Sequence, residues 1–364
     1  MVIKSEIEKR AIDFLNNVTP KDGIITIFHN DADGIASCAL LDLFLIEKIK
    51  RGSDFIISQP MPPTKTLVQR VKLSLPTKII FLDLAIDQEK RIIKSLERIC
   101  EILVIDHHQI SNNINSKKTI HYNPLFNNNV YQSASYLTYK LLSKISDMSK
   151  YLWIALIGIA GDYNIKDSMD LIFEGRNIYE KYFGNEEDIN KAFFNSSFKR
   201  VSDIITSLKV YGISCERIVK TLEIAETVEE IENNREFLNY HEKVQKEIDA
   251  IMIKIKSEIK EVGDIIFYEI KSEYNLRSII STKLSELYPK KIVFVWEIVN
   301  NNVKFSVRNQ SGNVDVEKIL KEASKDFKTA ITGGHKLAAA GSIKKDEFDL
   351  FKEKMVEILS KNKL

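Results

Sequence analysis

Cysteine, an excess of one charge and long apolar runs are what this chain of 364 residues has least of. Its three cysteines are widely spaced and form no CxxC pair, which excludes a disulfide framework and a zinc knuckle and indicates a reducing compartment. No apolar run approaches the ~20 residues of a membrane-spanning helix. The first residues, MVIKSEIEKR, are charged where a secretory signal would be apolar. We therefore expect a cytoplasmic protein without a membrane segment.

Two phosphate-binding patterns are also missing. Neither GxGxxG nor GxxxxGK[ST] occurs, which disfavours a dinucleotide cofactor and P-loop hydrolysis of nucleoside triphosphates. The 53 basic residues nearly balance the 51 acidic ones. From Lys246 onward there are 22 basic against 18 acidic residues, and before it 31 against 33. Neither part has the excess expected of a protein that grips many phosphates along a long strand.

The length fits two domains, and the first shows strands alternating with amphipathic helices. The strands are short, apolar and β-branched, and the pattern predicts a doubly wound parallel sheet with helices on both faces over residues 1–165. The predicted strands are Ile24–Phe28, Lys78–Leu84 and Ile102–Ile105, and the helices between them include Gly34–Lys50 and Gln88–Ile99.

Residues 166–262 are helical and charged, and we interpret them as a helical connector. A long helix there repeats apolar residues every three to four positions, namely Val244, Ile248, Met252, Ile255 and Ile259. This stripe favours packing on both domains, and the alternative is the seam of a homodimer.

A smaller α/β domain is predicted over residues 263–364. Its strands are Ile265–Ile270, Ile292–Val299 and Val303–Val307, and its helices are Leu276–Leu287, Val314–Ala323 and Glu347–Leu359.

The segment His29–Gly34 (HNDADG) directly follows the first predicted strand. Residues two apart on an extended chain point the same way, so His29, Asp31 and Asp33 are expected to converge at the carboxyl end of that strand. Ligands of open parallel sheets bind at that edge. The alternative is an Asp-rich turn that caps the next helix.

Two further strands end in acidic or imidazole side chains. Asp83 ends one, and Asp106-His107-His108 ends the next. A carboxylate at the end of a buried strand is costly unless it is paired or bound to a metal. Asp162 follows the apolar helix of residues 153–161, and alone it would be an ordinary C-terminal turn residue. Together these residues favour a metal site.

Mixed imidazole and carboxylate ligands without thiolate argue against structural zinc. Such sites suit Mn²⁺, with Mg²⁺ and Co²⁺ as substitutes. Two ions sharing a carboxylate would activate water for attack on phosphorus.

The C-terminal domain contributes a glycine motif, Thr332-Gly333-Gly334-His335, followed by KLAAAG. Paired glycines let backbone N–H groups approach a phosphate, and the alternative is a tight turn before an Ala-rich helix. Arg308 ends a strand, where it is either a phosphate clamp or a solvated side chain.

With these motifs in order, the chain resembles the DHH phosphoesterase superfamily, in particular its RecJ-like and nano-RNase branch. HNDADG, FLDL, IDHH and GIAGD resemble the family's metal motifs, and SVRN with GGHKLAAAG resembles its C-terminal DHH-associated domain. The resemblance implies an active site in the cleft between the domains. One motif departs from the family: many members have GGGH where this chain has TGGH, so the backbone is less permissive at Thr332.

The resemblance also implies roles. One Mn²⁺ would be held by His29, Asp31 and Asp83, and a second by Asp33, Asp83, His107 and Asp162. His108 would face the scissile phosphate and Asp106 would orient the histidines. Arg308, Gly333, Gly334 and His335 would hold the far end of the substrate.

Three functions remain open. The first is an exonuclease or oligonucleotidase that releases mononucleotides from single-stranded DNA or RNA. The second is a phosphoesterase of cyclic dinucleotides or other small phosphoesters or polyphosphates. The third is a non-catalytic replication scaffold, which should have lost metal ligands that this chain retains. The resemblance leaves room for a replication or repair partner.

Overall fold

A computed structural model of the chain describes residues 2–60, 65–126, 130–163 and 165–361. The chain divides into two compact units, Met1–His241 and Glu242–Leu364. Among the helices of these described ranges, none is long and apolar enough to cross a membrane.

Five strands form one parallel sheet in the first unit, in the spatial order β2-β1-β3-β4-β5. They are β1 (Ile24–His29), β2 (Phe55–Gln59), β3 (Lys78–Leu82), β4 (Glu101–Ile105) and β5 (Thr119–Tyr122). The helices among and before them are α1 (Val2–Asn16), α2 (Ala32–Ile49), α3 (Lys65–Leu73) and α4 (Lys90–Leu96). Helices α5 (Ala134–Leu142) and α6 (Leu152–Asp162) follow the sheet.

Both faces of this sheet are buried, because successive strand residues supply two separate cores. Phe28 and Leu82 belong to the core shared with α1, α2, α5 and α6. Ile27 and Phe81 belong to the core on the other face, shared with α3 and α4. The predicted doubly wound parallel sheet is therefore confirmed.

Strands β2 and β5, the two edges of the sheet, were missed in the sequence. β5 has only four residues, and β2 buries only alternate residues near its end. An edge strand can carry polar residues among its apolar ones. Such strands are not detected when only fully apolar runs are assigned as buried strands.

Helices without strands follow α6, as the composition predicted. They are α7 (Met169–Ile178), α8 (Ile189–Phe194), α9 (Ser197–Tyr211), α10 (Cys215–Ile224), α11 (Val228–Glu232) and α12 (Arg235–Glu258). Those before α12 belong to the first unit, and the division between the units falls within α12 itself. On the part of α12 in the second unit, Val244, Ile248 and Ile255 are buried. The domain boundaries given above stay predictions.

The second unit holds a mixed sheet in the order β10-β11-β9-β8-β7-β6, in which only β7 and β8 run parallel. Its elements are β6 (Lys260–Val262), β7 (Ile265–Glu269), α13 (Arg277–Leu287), β8 (Ile292–Val299), β9 (Asn302–Asn309), α14 (Val316–Ser324), β10 (Ile331–His335), β11 (Ala338–Lys344) and α15 (Phe348–Lys361). Helices α14 and α15 share an aromatic core with one face of this sheet.

The alternative of an Ala-rich helix after the glycine motif is wrong. Residues 331–335 and 338–344 form an antiparallel hairpin, and the alanines of β11 pair with both β9 and β10. Small side chains fit a central strand packed between two neighbours, and this pairing outweighs the helix propensity of alanine.

Gly34 shows why the turn after β1 needs a glycine. It lies inside α2, where a Cβ atom would come 2.2 Å from the carbonyl oxygen of His29. The requirement is a close approach of backbone to backbone, since no positive φ is involved.

Gly34→Ala should therefore destabilise the first unit. The added methyl cannot be accommodated without moving the end of β1, and we expect a loss of about 1–3 kcal/mol. Gly23→Ala is the matched control, because its Cβ would meet nothing closer than 3.5 Å and should change stability by no more than about 0.5 kcal/mol. Urea unfolding in EDTA measures both. Equal unfolding midpoints for the two variants would contradict this account.

Candidate metal centre

The strand register brings four polar residues into one row at the carboxyl edge of the first sheet. Phe28 pairs with Leu82, Leu82 with Ile105, and Ile105 with Tyr122. The next residue on each strand is therefore His29, Asp83, Asp106 or Asn123, side by side. Backbone hydrogen bonds from Asp83 to Ile105 and from Asp106 to Tyr122 extend the ladder by one residue.

The first group at this edge contains His29, Asp31 and Asp83. Nδ1 of His29 lies 2.7 Å from Oδ2 of Asp31 and 3.3 Å from Oδ2 of Asp83. Asp31 also caps α2, because its other oxygen accepts the N–H of Gly34 at 3.0 Å. The sequence left open whether this segment caps a helix or forms a ligand cluster, and Asp31 does both.

Asp33 belongs to a different group from His29. The expectation of an extended HNDAD segment was wrong, because α2 already begins at Ala32 and turns Asp33 away. Its carboxylate is buried and accepts the backbone N–H groups of Ala134 at 2.6 Å and Ser135 at 2.9 Å. Both donors lie in the first turn of α5, whose dipole favours a negative charge there.

His107 lies between two carboxylates. Its Nε2 is 3.0 Å from Oδ1 of Asp83, and its Nδ1 is 3.6 Å from Oδ2 of Asp162. Among the described residues neither this Nδ1 nor this Oδ2 has a hydrogen-bond partner, although both are buried. Buried polar atoms without partners are rare and call for a ligand or water.

Ligand atoms converge within 4.8 Å of one another in three overlapping groups: His29, Asp31 and Asp83; Asp33, His107 and Asp162; Asp83, His107 and His108. All six residues predicted as metal ligands fall in these groups, and Asp83 is shared by two of them. The structure thus brings together residues that are up to 133 positions apart in the sequence.

His108, a member of the third group, is also paired with Asp106. Nδ1 of His108 lies 2.6 Å from Oδ1 of the buried Asp106. The other oxygen of Asp106 faces Nε2 of His121 at 3.9 Å. Asn123 donates from Nδ2 to the backbone carbonyl of His108 at 2.9 Å, which fixes the backbone that carries the imidazole.

The pKa values show an excess of negative charge. Burial disfavours the charged imidazole of His29, but Asp31 and Asp83 outweigh it and raise its pKa to about 10. Burial and the neighbouring Asp83 raise the pKa of Asp33 to about 6. Burial raises the pKa of Asp162 to about 8, with His107 opposing and Asp33 adding to the rise. Without a cation, this cluster retains protons that exposed side chains would lose.

Tyr131 and Asn123 are site residues that the sequence analysis missed. The hydroxyl of Tyr131 donates to Oδ1 of Asp162 at 3.1 Å, and its ring lies edge-on to His107 with centroids 4.9 Å apart. Neither residue belongs to a recognisable motif. The only usable signal was Ser133, an N-cap residue that marks the start of α5 beside Tyr131.

In the second unit, register places Arg308, Ala338 and His335 in one row across β9, β11 and β10. Arg308 is half-buried and donates to Oγ of Ser278 at 2.8 Å, and burial lowers its pKa to about 10. Gly334 has φ of 148°, and a Cβ there would come 2.4 Å from the carbonyl oxygen of Ala338. Gly333 faces open space. The His335 side chain lies outside the described part of the structure.

Two family models match the chain. The DHH family, N-terminal domain, covers residues 23–159, and the DHHA1 domain covers residues 263–361. No curated protein matches the sequence.

Several solved structures share the fold. RecJ in complex with Mn²⁺ from Thermus thermophilus has a TM-score of 0.74 and 17% sequence identity, over 98% of this chain and 55% of that one. A manganese-bound RecJ exonuclease has a TM-score of 0.71 and 17% identity, over 97% and 94%. CDC45 from Entamoeba histolytica has a TM-score of 0.64 and 11% identity, over 97% and 98%.

The chain thus spans about half of the Thermus RecJ (55%), and at these identities the likeness is one of fold. The two family models cover most of both units, and the motifs at the sheet edge lie inside the first. The chain belongs to the DHH phosphoesterase superfamily, with a RecJ-like fold that carries both the DHH and the DHHA1 domain.

Proposed function

We propose that the chain is a Mn²⁺-dependent phosphodiesterase that hydrolyses short single-stranded oligonucleotides to mononucleotides. The observation that carries this proposal is the position of Asp83 between two ligand groups at the carboxyl edge of the sheet. Asp83 belongs to the group of His29 and Asp31, and its Oδ1 lies 3.0 Å from Nε2 of His107, which belongs to the group of Asp33 and Asp162. Two neighbouring groups of this kind suit a pair of divalent cations bridged by one carboxylate.

We assign His29, Asp31 and Asp83 to one cation and Asp33, Asp83, His107 and Asp162 to the other. The unpartnered Nδ1 of His107 and Oδ2 of Asp162 support this assignment, as does the excess of negative charge. One or more imidazoles among carboxylates favour Mn²⁺, and Mg²⁺ or Co²⁺ are substitutes. When bound, two such ions lower the pKa of a water molecule and neutralise charge on the phosphate.

His108 is assigned to the scissile phosphate. The Nδ1–H of His108 donates to Asp106, which fixes the ring, and we assign Nε2 to the substrate. Burial disfavours the imidazolium of His108, but Asp106 outweighs it and raises the pKa. A protonated Nε2 donates to a phosphoryl oxygen, and its charge matches the charge that builds up there during hydrolysis.

Arg308, Gly333, Gly334 and His335 are assigned to the far end of the substrate. Arg308 and His335 share one row of the sheet, and Gly333 leaves bare backbone facing open space. An anion beside them would meet a guanidinium and N–H groups rather than aliphatic side chains.

The second candidate function is hydrolysis of cyclic dinucleotides or other small phosphoesters, which the same site would serve. The third is a replication scaffold without activity. It is disfavoured because all six assigned ligands are present and their atoms converge. A replication or repair partner and a homodimer stay proposals compatible with any of the three.

Asp83→Ala should abolish hydrolysis, because it removes the carboxylate that we assign to both cations. EDTA should do the same to the wild type, and added Mn²⁺ should restore it. The measurement is turnover of end-labelled oligonucleotides by purified protein. Asp13→Ala, on the exposed side of α1, is the control and should keep full activity. If Asp83→Ala kept more than a few per cent of kcat at saturating Mn²⁺, the shared-ligand assignment would be wrong.

Metal binding at neutral pH should release a proton from His29. Because the pKa of His29 is raised to about 10, its imidazole is charged in the metal-free protein, and a cation at that nitrogen must displace the proton. Titration calorimetry in buffers of different ionisation enthalpy counts the protons released. His29→Gln should lower the count by about one, whereas His241→Gln, bonded to Ser207, should not.

The raised pKa of His29 also sets how the stability of the metal-free protein and the proton release depend on pH. The raised value means that the protonated form stabilises the metal-free protein fully below the unfolded pKa of about 6.5, and this contribution disappears as the pH rises through about 10. The proton released from His29 should disappear over the same range. Unchanged release in His29→Gln would contradict the assignment of His29.

The substrate should be short. The near balance of charge in both parts of the sequence leaves only the residues assigned above for phosphate. We expect distributive action on short oligomers and a shallow salt dependence, equivalent to about two to four phosphate contacts. Competition between 5-mers and 40-mers, with unlabelled trap added after binding, measures this. Processive degradation of the 40-mer despite the trap would indicate a long-strand exonuclease instead.

A further inference from the structure

An exposed tyrosine stands directly beside the candidate metal centre. Tyr163 follows Asp162 at the end of α6 and is 60% exposed. Its ring stacks on Phe194 with centroids 6.1 Å apart and planes inclined by 21°. The ammonium of Lys199 lies 4.8 Å from the centroid of the Tyr163 ring. We call Tyr163, Phe194 and Lys199 the aromatic shelf.

Tyr163 has a backbone conformation that tyrosine rarely adopts, and its ring contacts residues of two other helices. Its φ is 61°, in the left-handed region that a residue with a Cβ atom rarely adopts. A helix C-cap in this conformation is normally glycine or asparagine. Three elements nevertheless converge on the tyrosine, since Phe194 ends α8 and Lys199 lies in the first turn of α9.

The surroundings of the shelf favour a flat apolar ligand over an anion. The shelf shares Phe194 and Lys199 with an open groove of about 360 Å³. The three cations of this groove are already paired: Lys181 with Glu229, Lys199 with Asp203 and Arg200 with Glu232. A phosphate there would have to compete with these carboxylates, whereas an aromatic face needs no counter-charge.

The shelf tyrosine is adjacent in sequence to a residue of the candidate metal centre. Asp162 and Tyr163 are consecutive, so their Cα atoms are about 3.8 Å apart, and Asp162 supplies an oxygen to the group of Asp33 and His107. A phosphate held at that group would therefore have its attached nucleoside within reach of the shelf.

We propose that the aromatic shelf is a base-stacking subsite that holds the nucleobase next to the scissile phosphate. The inference rests on the proposed function and adds a substrate requirement to it. Every base has a π face, so the shelf should not select a sequence. A base inside a duplex is already stacked on both faces, so the shelf should require a single-stranded end.

The first test removes the ring and the base separately. Wild type and Tyr163→Leu each act on two oligomers, one with a normal terminal base and one whose terminal residue is abasic. The four rates are compared, and the comparison is made separately for each end of the oligomer. Tyr163→Leu should lower kcat/KM for the normal oligomer roughly 5- to 100-fold. It should leave the rate for the abasic oligomer at its wild-type value, because that substrate has no base to stack.

Two further variants separate stacking from folding. Tyr163→Phe keeps the ring and should retain nearly wild-type kcat/KM. Phe55→Leu is the matched control, since Phe55 is 53% exposed but starts β2, at the opposite end of the sheet from the candidate metal centre. It should change neither rate. If Tyr163→Leu slowed both substrates equally, its role would be structural and the proposal would be overturned.

A second test needs no catalysis. An oligomer with a terminal 2-aminopurine is mixed with the protein in EDTA, and its binding is followed by anisotropy and its fluorescence by intensity. Binding to the wild type and to Tyr163→Phe should quench the fluorescence, because the base stacks on the ring, and Tyr163→Leu should remove the quenching. Absence of binding, or equal quenching by the Leu variant at both ends, overturns the subsite. A wild type that quenches but hydrolyses no oligonucleotide would instead overturn only the proposed function.

Discussion

The constraint on which the first unit depends is the crowding of carboxylates at one edge of its sheet. Asp33, Asp83 and Asp106 are almost fully buried, and Asp31 and Asp162 lie against the same imidazoles. Carboxylates cannot be moved together out of water without compensating charge or hydrogen bonds. Much of the surrounding structure supplies that compensation.

The compensation comes from elements that are distant in sequence. The first turn of α5 donates two N–H groups to Asp33, and Tyr131 donates its hydroxyl to Asp162. The imidazoles of His29 and His107 lie between pairs of carboxylates. The raised pKa values of Asp33 and Asp162 show that part of the negative charge is still uncompensated. A pair of divalent cations would supply the missing positive charge.

Close packing holds these donors in place. Gly34 lets α2 approach the end of β1, and at Gly158 a Cβ would come 2.8 Å from Oδ1 of Asp33. Helix α6 can therefore pass beside Asp33 and bring Asp162 to the cluster only because it carries no side chain at that point. Tyr163 of the aromatic shelf directly follows α6. The packing of α6 therefore also positions the ring on which a substrate base would stack.

The sequence by itself determined the parallel sheet and the motifs at its edge, because buried strands are apolar throughout and each motif directly follows one. It also indicated that α6 ends at Asp162, because the apolar run stops there, although the carboxylate is withdrawn into the cluster and largely shielded from solvent. The sequence could not assign β2, whose exposed positions interrupt the apolar pattern, or β5, which has only four residues. It also could not assign the hairpin of β10 and β11, where pairing overrides the helix propensity of alanine.

Only the tertiary structure decided how the ligand atoms group. Extended alternation predicted His29, Asp31 and Asp33 on one side, but the early start of α2 sends Asp33 to His107 and Asp162 instead. Tyr131, Asn123 and Tyr163 belong to no motif, and their roles arise because helix packing and strand register carry them to the cluster. Local pattern determines which residues end the strands, and the packing of distant segments determines which of their atoms meet.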